Sequence, residues 1–276
     1  MSTNLPGAAG LPSPYWAVGP ETSGLEHCPG IGLAHPAAAA ALQRLQSRAR
    51  RAGMALEVAS GYRDYSRQLA IFNAKFQGHR PVYSDAGEQL CRSQFDDAAW
   101  LKAILHYSAL PGTSRHHWGT DFDVWDSSAV AGDYQLQLQA SEYTGDGPFA
   151  ALSDWLADLI ARDDAEGFFR PYQPDTGAVA LEPWHLSHRP TARLFYPQVN
   201  EELLRSLWSA GRADGSGAGS PEPVAGRPHW ADRWTTLWSV TSGRITFSCR
   251  SEGTRSAQGG PQADRCSYSP FCARCP

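Results

Sequence analysis

The chain has 276 residues, of which 42% are hydrophobic and 11% aromatic, enough to bury a core in one large domain or two small ones. A net charge of −4 offers no basic surface for nucleic acid or another polyanion. The opening Met1-Ser2-Thr3-Asn4-Leu5-Pro6-Gly7 has neither the basic nor the apolar part of a secretory signal, and no apolar run approaches the roughly 20 residues that span a bilayer.

Residues 1–34 are rich in glycine, proline and serine and are expected to be irregular, with 1–27 as a lead-in. Pro36 opens a helix that runs to 51, with Leu42 and Leu45 on its apolar face and Gly53 as its stop. Residues 54–59 alternate as a strand does, and Ser60-Gly61-Tyr62-Arg63 turns out of it. Asp64 or Ser66 can cap a helix over 67–76, built on Leu69, Ile71 and Phe72. After a polar loop, Trp100, Ile104 and Leu105 carry a helix over 95–107, which Pro111-Gly112 ends.

Residues 114–125 then read as a turn running into a strand. A further amphipathic helix is expected over 148–163, through Phe149, Leu152, Trp155, Leu156 and Leu159. Short strands follow over 167–172 and 178–186, then one last helix over 191–209. Helices packed on a small sheet make this an α+β arrangement.

Beyond 210 the periodicity fades. Four of the six cysteines (Cys249, Cys266, Cys272 and Cys275) lie in that tail, leaving only Cys28 and Cys91 for the rest. That is not a disulfide framework, and it favours a reducing compartment. A single Cys-x-x-Cys pair without a matching partner does not make a zinc knuckle. The tail, 210–276, is expected to be disordered, and its composition is what an unselected frame of GC-rich sequence would give.

Residues able to bind a metal concentrate in two places. His116 and Asp123 are seven positions apart, so a histidine ending the turn and an aspartate on the strand can face one cavity. Asp121 shares the face of Asp123, while Phe122 and Val124 point the other way. Sixty residues on, His185 would complete a His, Asp, His set, and Glu182, held by Pro183, is placed to act as a base. His117 and His188 read as structural. Trp118, Trp125 and Trp184 read as packing.

The combination resembles the VanY-like D-alanyl-D-alanine carboxypeptidases, zinc peptidases of the group that includes lysostaphin-type enzymes and the hedgehog signalling domain. The family's Ser-x-His-x-x-Gly-x-x-x-Asp is met by Ser114, His116, Gly119 and Asp123, its Glu-x-Trp-His by Glu182, Trp184 and His185, and its Ser-Gly-Tyr-Arg with a later glutamine by residues 60–63 and Gln68. The resemblance covers residues 28–208, within an expected domain of 28–209. Asp121 is a departure, since many members carry a small residue there.

The resemblance implies a small antiparallel sheet carrying Zn²⁺ on His116, Asp123 and His185. Glu182 would be the general base on a zinc-bound water, and Arg63 would neutralise the oxyanion. Gln68 and Ser114 would hold the substrate, with Asp121 and Trp184 supporting the ligands. The implied reaction removes the C-terminal D-alanine of peptidoglycan stem peptides or muropeptide fragments, by a monomer that neither spans a membrane nor binds nucleic acid. A D-Ala-D-Ala dipeptidase of the same chemistry and a non-catalytic zinc-stabilised binding module are the alternatives; the presence of Glu182 and Arg63 favours an enzyme. The chain as written is expected in the cytoplasm, or in the envelope if the true start lies upstream.

Overall fold

Local sequence explains most of the helices. In the computed structural model, which describes residues 14–84, 87–172 and 180–209 and three strands between 237 and 268, helix α1 spans Pro36–Arg51 with proline in its first turn. The His35 ring accepts the Ala37 N–H at 3.3 Å, capping the helix. Its buried side is Ala38, Ala39, Ala41, Leu42, Leu45 and Ala49; small side chains let this helix lie close to the sheet. Helix α2 spans Tyr65–Phe76, and of the two expected caps Asp64 serves, accepting the Arg67 N–H at 2.6 Å. Helix α3, Asp97–Leu105, starts two residues later than expected because the Asp96 carboxylate caps it through Ala99 N–H at 2.8 Å. Helix α4, Ala150–Ala161, buries Leu152, Leu156 and Leu159.

A hairpin of β1 (Glu26–Cys28) and β2 (Gly32–Ala34) precedes α1. The main sheet contains β3 (Leu56–Ser60), β4 (Asp121–Asp126), β5 (Phe168–Phe169) and β6 (His185–His188), in the order β3-β4-β6-β5 and antiparallel throughout. Pairing of Phe122 with Leu186 sets Asp123 opposite His185 and Asp121 opposite Ser187. The two-residue alternation of a strand then does the sorting. Phe122, Val124 and Leu186 point into an apolar layer with α1 and α4, each fully buried, where such a side chain contributes about 1.5–3 kcal/mol. Asp121, Asp123, His185 and Ser187 share the opposite face. A bulge between Val58 and Ser60 brings Ser60 opposite Asp123, so the turn into Arg63 begins beside the polar face.

Three regions depart from expectation. Part of the supposed irregular lead-in is structured: Pro14–Val18 forms a 3₁₀ turn, and Trp16, Ala17 and Val18 are buried against Phe195 and Trp118. The last helix is broken in two, α5 (Arg189–Phe195) and α6 (Glu201–Ser209), with a 3₁₀ turn at Tyr196–Gln198 between them. Pro197 is the cause: it has no N–H to give and its ring would collide with the carbonyl four residues back. Asn200 restarts the helix by accepting the Leu203 N–H at 2.9 Å. In the tail, Leu237–Thr241, Arg244–Ser248 and Arg265–Tyr268 form strands β7, β8 and β9 of a separate antiparallel sheet; the rest of 210–276, with Cys249, Cys272 and Cys275, lies outside the described residues. So do residues 178 and 179 of the strand expected over 178–186, which is realised at His185–His188. Among the described residues, no helix is long and apolar enough to cross a membrane.

Gly119 closes the turn before β4, at φ +65°. A Cβ there would stand 2.6 Å from Leu25 Cδ2 and 3.1 Å from the His35 backbone nitrogen, whose N–H donates to the Gly119 carbonyl at 2.8 Å. Both conformation and space therefore require glycine. Gly119→Ala is expected to cost about 1–3 kcal/mol, seen as a melting temperature several degrees lower; an unchanged melting temperature would contradict this account of the turn.

Candidate active site

His116 sits in a single 3₁₀ turn, Arg115–Trp118, between Ser114 and Gly119. His117, next to it, shows how that turn is fixed. Its ring is fully buried; Nε2 accepts the Gly112 N–H at 3.2 Å, so Nδ1 carries the hydrogen and donates to the Arg63 carbonyl at 2.6 Å. Burial pushes this imidazole down to about 3, against the raising effect of the Arg63 carbonyl, and keeps it neutral. The Arg63 N–H in turn donates to the His116 carbonyl at 3.1 Å. The two motifs, fifty residues apart in sequence, are thus clipped together by backbone bonds, and the structural reading of His117 acquires a specific content.

The sheet register brings the remaining groups to His116. His116 Nε2 lies 3.3 Å from Asp123 Oδ2, and His185 Nδ1 lies 3.2 Å from Asp123 Oδ1. The two imidazole centroids are 4.8 Å apart. One ligand atom from each of His116, Asp123 and His185 can be chosen so that all three lie within 4.8 Å of one another, and all three residues are buried. Glu182 Oε2 is 3.3 Å from the same His185 Nδ1. The short turn through Pro183 is closed by the His185 N–H donating to the Glu182 carbonyl at 3.1 Å. Trp184 packs at 5.5 Å against Tyr143 and lines the same cavity as Glu182 and His185, and its carbonyl extends the β4 ladder through Val124 N–H.

These contacts fit a cation. Asp123 Oδ1 and His116 Nδ1 are buried without a hydrogen-bond partner, although Asp123 is within ion-pair distance of both histidines. Close, unaligned donor atoms are what a shared metal would satisfy. Burial acts to lower His185, but the neighbouring carboxylates of Asp121, Asp123 and Glu182 raise it well above the usual histidine value. Three carboxylates around one buried imidazole mark an excess of negative charge, which a bound divalent ion would take up.

Behind the site lies Asp121, with a partner, Arg115, that the sequence did not disclose. Asp121 Oδ1 receives His185 Nε2 at 3.0 Å and Arg115 Nε at 2.8 Å, and Thr120 Oγ1 donates to Oδ2 at 2.6 Å. Burial would push the Asp121 carboxyl up, yet the Arg115 charge and the His185 bond hold it well below the carboxylate range. Arg115 is itself 3% exposed. It donates to Ser187 Oγ at 2.5 Å and stacks 4.6 Å from the Trp118 ring centroid. With Asp121 ionised, His185 Nε2 must carry a hydrogen and Nδ1 is the atom left to face a metal.

Arg63 lines the same cavity. Its Nη1 donates to Gln68 Oε1 at 2.9 Å and its Nη2 to Ser60 Oγ at 3.2 Å. Burial lowers this guanidinium, with Asp123 and Glu182 pulling the other way. Gln68 is engaged at both ends, since its Nε2 also donates to the Ala109 carbonyl at 2.6 Å. It stands behind Arg63 and orients it, rather than on the cavity wall where a substrate contact would be. Ser114 does line the cavity, beside His116. The cavity holds about 420 Å³. Its far walls add Tyr172, whose ring meets His185 edge-on at 4.9 Å, and Lys75; neither stood out in the sequence, where an isolated tyrosine and lysine carry no pattern.

A buried His, Asp, His group that could hold a metal ion thus shares one cavity with a glutamate and an arginine. The family model for VanY, D-alanyl-D-alanine carboxypeptidase, matches residues 32–191, more than half of the chain. The chain belongs to this family of peptidases, as its motifs suggested. It is 36% identical to an uncharacterized protein of Haemophilus influenzae over 99 residues, 36% of this chain and 75% of that one. Among solved structures, it is similar to the vancomycin resistance D,D-pentapeptidase VanY of a VanB-type cassette, a mutant in complex with Zn(II), with 25% identity, 62% of this chain and 83% of that chain covered, and a TM-score of 0.43. It is also similar to VanYB in complex with D-alanine-D-alanine, with 24% identity, 66% and 88% covered, and a TM-score of 0.44.

Proposed function

We propose that this chain is a zinc-dependent carboxypeptidase that hydrolyses the C-terminal D-alanine peptide bond of peptidoglycan stem peptides or their fragments. The observation that carries the reading is the convergence of His116, Asp123 and His185 with Glu182 on one buried cavity wall. His116, Asp123 and His185 would hold the ion. When bound, zinc supplies Lewis acidity, polarising the scissile carbonyl and making water a nucleophile at neutral pH.

The chain's own groups do the rest. Glu182 takes the proton from the attacking water and delivers it to the leaving amine. The Arg63 guanidinium, aimed by Gln68 and Ser60, donates to the oxygen on which negative charge develops, a contribution of about 3–4 kcal/mol in comparable sites. Ser114 is placed to hold the peptide beside the reacting bond. Asp121 keeps the His185 ring oriented and its Nε2 protonated.

The test is mass spectrometry of defined tri-, tetra- and pentapeptide stems incubated with the zinc-loaded chain, alongside metal analysis. The expected result is about one zinc per chain and release of a single terminal D-alanine. Release of D-Ala-D-Ala as a unit would move the reading to a dipeptidase, and metal-free protein that cleaves at full rate would end it.

A further inference from the structure

Three cations line the cavity, and two of them have no carboxylate at ion-pair distance among the described residues. Lys75, one of only two lysines in the chain, lies on α2 with its Nζ donating to Ser108 Oγ at 2.6 Å. Arg63 and Arg80 line the same cavity. Its carboxylates are Asp123 and Glu182, both within ion-pair distance of His185. Among the described residues, neither Lys75 nor Arg80 has a carboxylate within ion-pair distance. Burial, then the charges of Arg80 and Arg63, press the Lys75 ammonium down to about 8, so it stays charged at neutral pH under electrostatic pressure that an anion would relieve. Ile71, Ile104 and Ala109 flank it, an apolar patch suited to a small alkyl side chain.

We propose that Lys75, oriented by Ser108, is the anchor for the free C-terminal carboxylate of the peptide substrate. This rests on the peptidase reading and deepens it. An exopeptidase needs a group that recognises the end of a chain, at a distance from the reacting carbonyl set by the terminal residue. A lysine two helical turns beyond Gln68, which itself orients the oxyanion arginine, lies on the same helix face and lines the cavity directly. The side chain of the terminal residue would rest on Ile71 and Ala109. Internal peptide bonds, which present a neutral amide at this point, would leave Lys75 without a partner and be disfavoured.

The experiment compares one stem pentapeptide as the free acid and as its C-terminal amide. Affinities are measured by calorimetry with the zinc-loaded full chain carrying Glu182→Ala, so that binding is read without turnover, and then with Lys75→Met added. The expected result is that the acid binds about 10- to 100-fold tighter than the amide, and that Lys75→Met brings the ratio close to one. Lys75→Arg should retain most of the preference. Lys75→Gln, which keeps the hydrogen bond to Ser108 without the charge, carries the same test should the methionine variant fail to fold. A ratio near one with Lys75 in place overturns the assignment, as does a ratio that survives its removal, which would leave the carboxylate to Arg63. If the ratio depends on Lys75 but the wild-type chain cleaves neither peptide, the carboxylate subsite stands and the hydrolytic reading falls.

Discussion

Replacing Glu182 with alanine is expected to lower kcat for stem-peptide hydrolysis by about 10²- to 10⁴-fold while leaving one zinc per chain. The separation of effects follows from the site. Glu182 lies 3.3 Å from His185 Nδ1, but the atoms that draw together as a metal group belong to His116, Asp123 and His185. The turn that carries Glu182 is held by backbone, through the His185 N–H and the Glu182 carbonyl, and does not depend on the carboxylate. Its removal therefore takes away the proton acceptor and little else, and KM should change far less than kcat. Steady-state kinetics with metal analysis on the same sample checks this. Loss of zinc together with activity would make Glu182 a ligand; full activity would place the base elsewhere.

Arg115→Met is expected to destabilise the fold by about 3–5 kcal/mol, because it strands the Asp121 carboxylate in the interior. Asp121 is fully buried and Arg115 nearly so, so water cannot replace the lost guanidinium. Methionine fills comparable space above Trp118, which isolates the charge from the packing. Thermal unfolding should fall by about 6–20 °C. Adding Asp121→Asn should recover part of this stability, since no uncompensated charge remains. It should also weaken zinc binding by about 10- to 100-fold, because the His185 Nε2–H loses the anion that orients it. Stability restored while metal affinity falls is a pattern that a purely structural ion pair would not give. If both recover together, Asp121 has no part in holding the ligand.

How far the chain could be read in advance depended on whether the signal was local. α1 was legible because Pro36, Gly53 and the Leu42 and Leu45 spacing all act within one helix. The convergence of His116, Asp123 and His185 was legible in part because the strand alternation fixes Asp121 and Asp123 on the face opposite Phe122 and Val124, whatever lies across from them. The break at Pro197 was visible as a residue, yet the apolar spacing on either side still suggests one helix, and only the restart at Asn200 shows that the proline prevails. Arg115 was the least legible: nothing local distinguishes a buried arginine from a turn arginine in water, and its partners Asp121, Ser187 and Trp118 meet it only in three dimensions. Gln68 was placed at the right site but with the wrong orientation, since the bond to the Ala109 carbonyl comes from a loop forty-one residues away.

The pairing of Asp123 with His185 also sets when the chain becomes dangerous to its surroundings. A one-residue slip between β4 and β6 would turn His185 to the apolar layer and Leu186 towards the metal-facing atoms. Such a slip is both unstable and inert. During synthesis, residues 116 and 123 emerge long before 182 and 185. No misregistered chain, and none made only as far as residue 181, can therefore assemble the full set of groups. Hydrolytic competence arrives late, and closure of the ladder serves as the fold's own check before any peptide is cut.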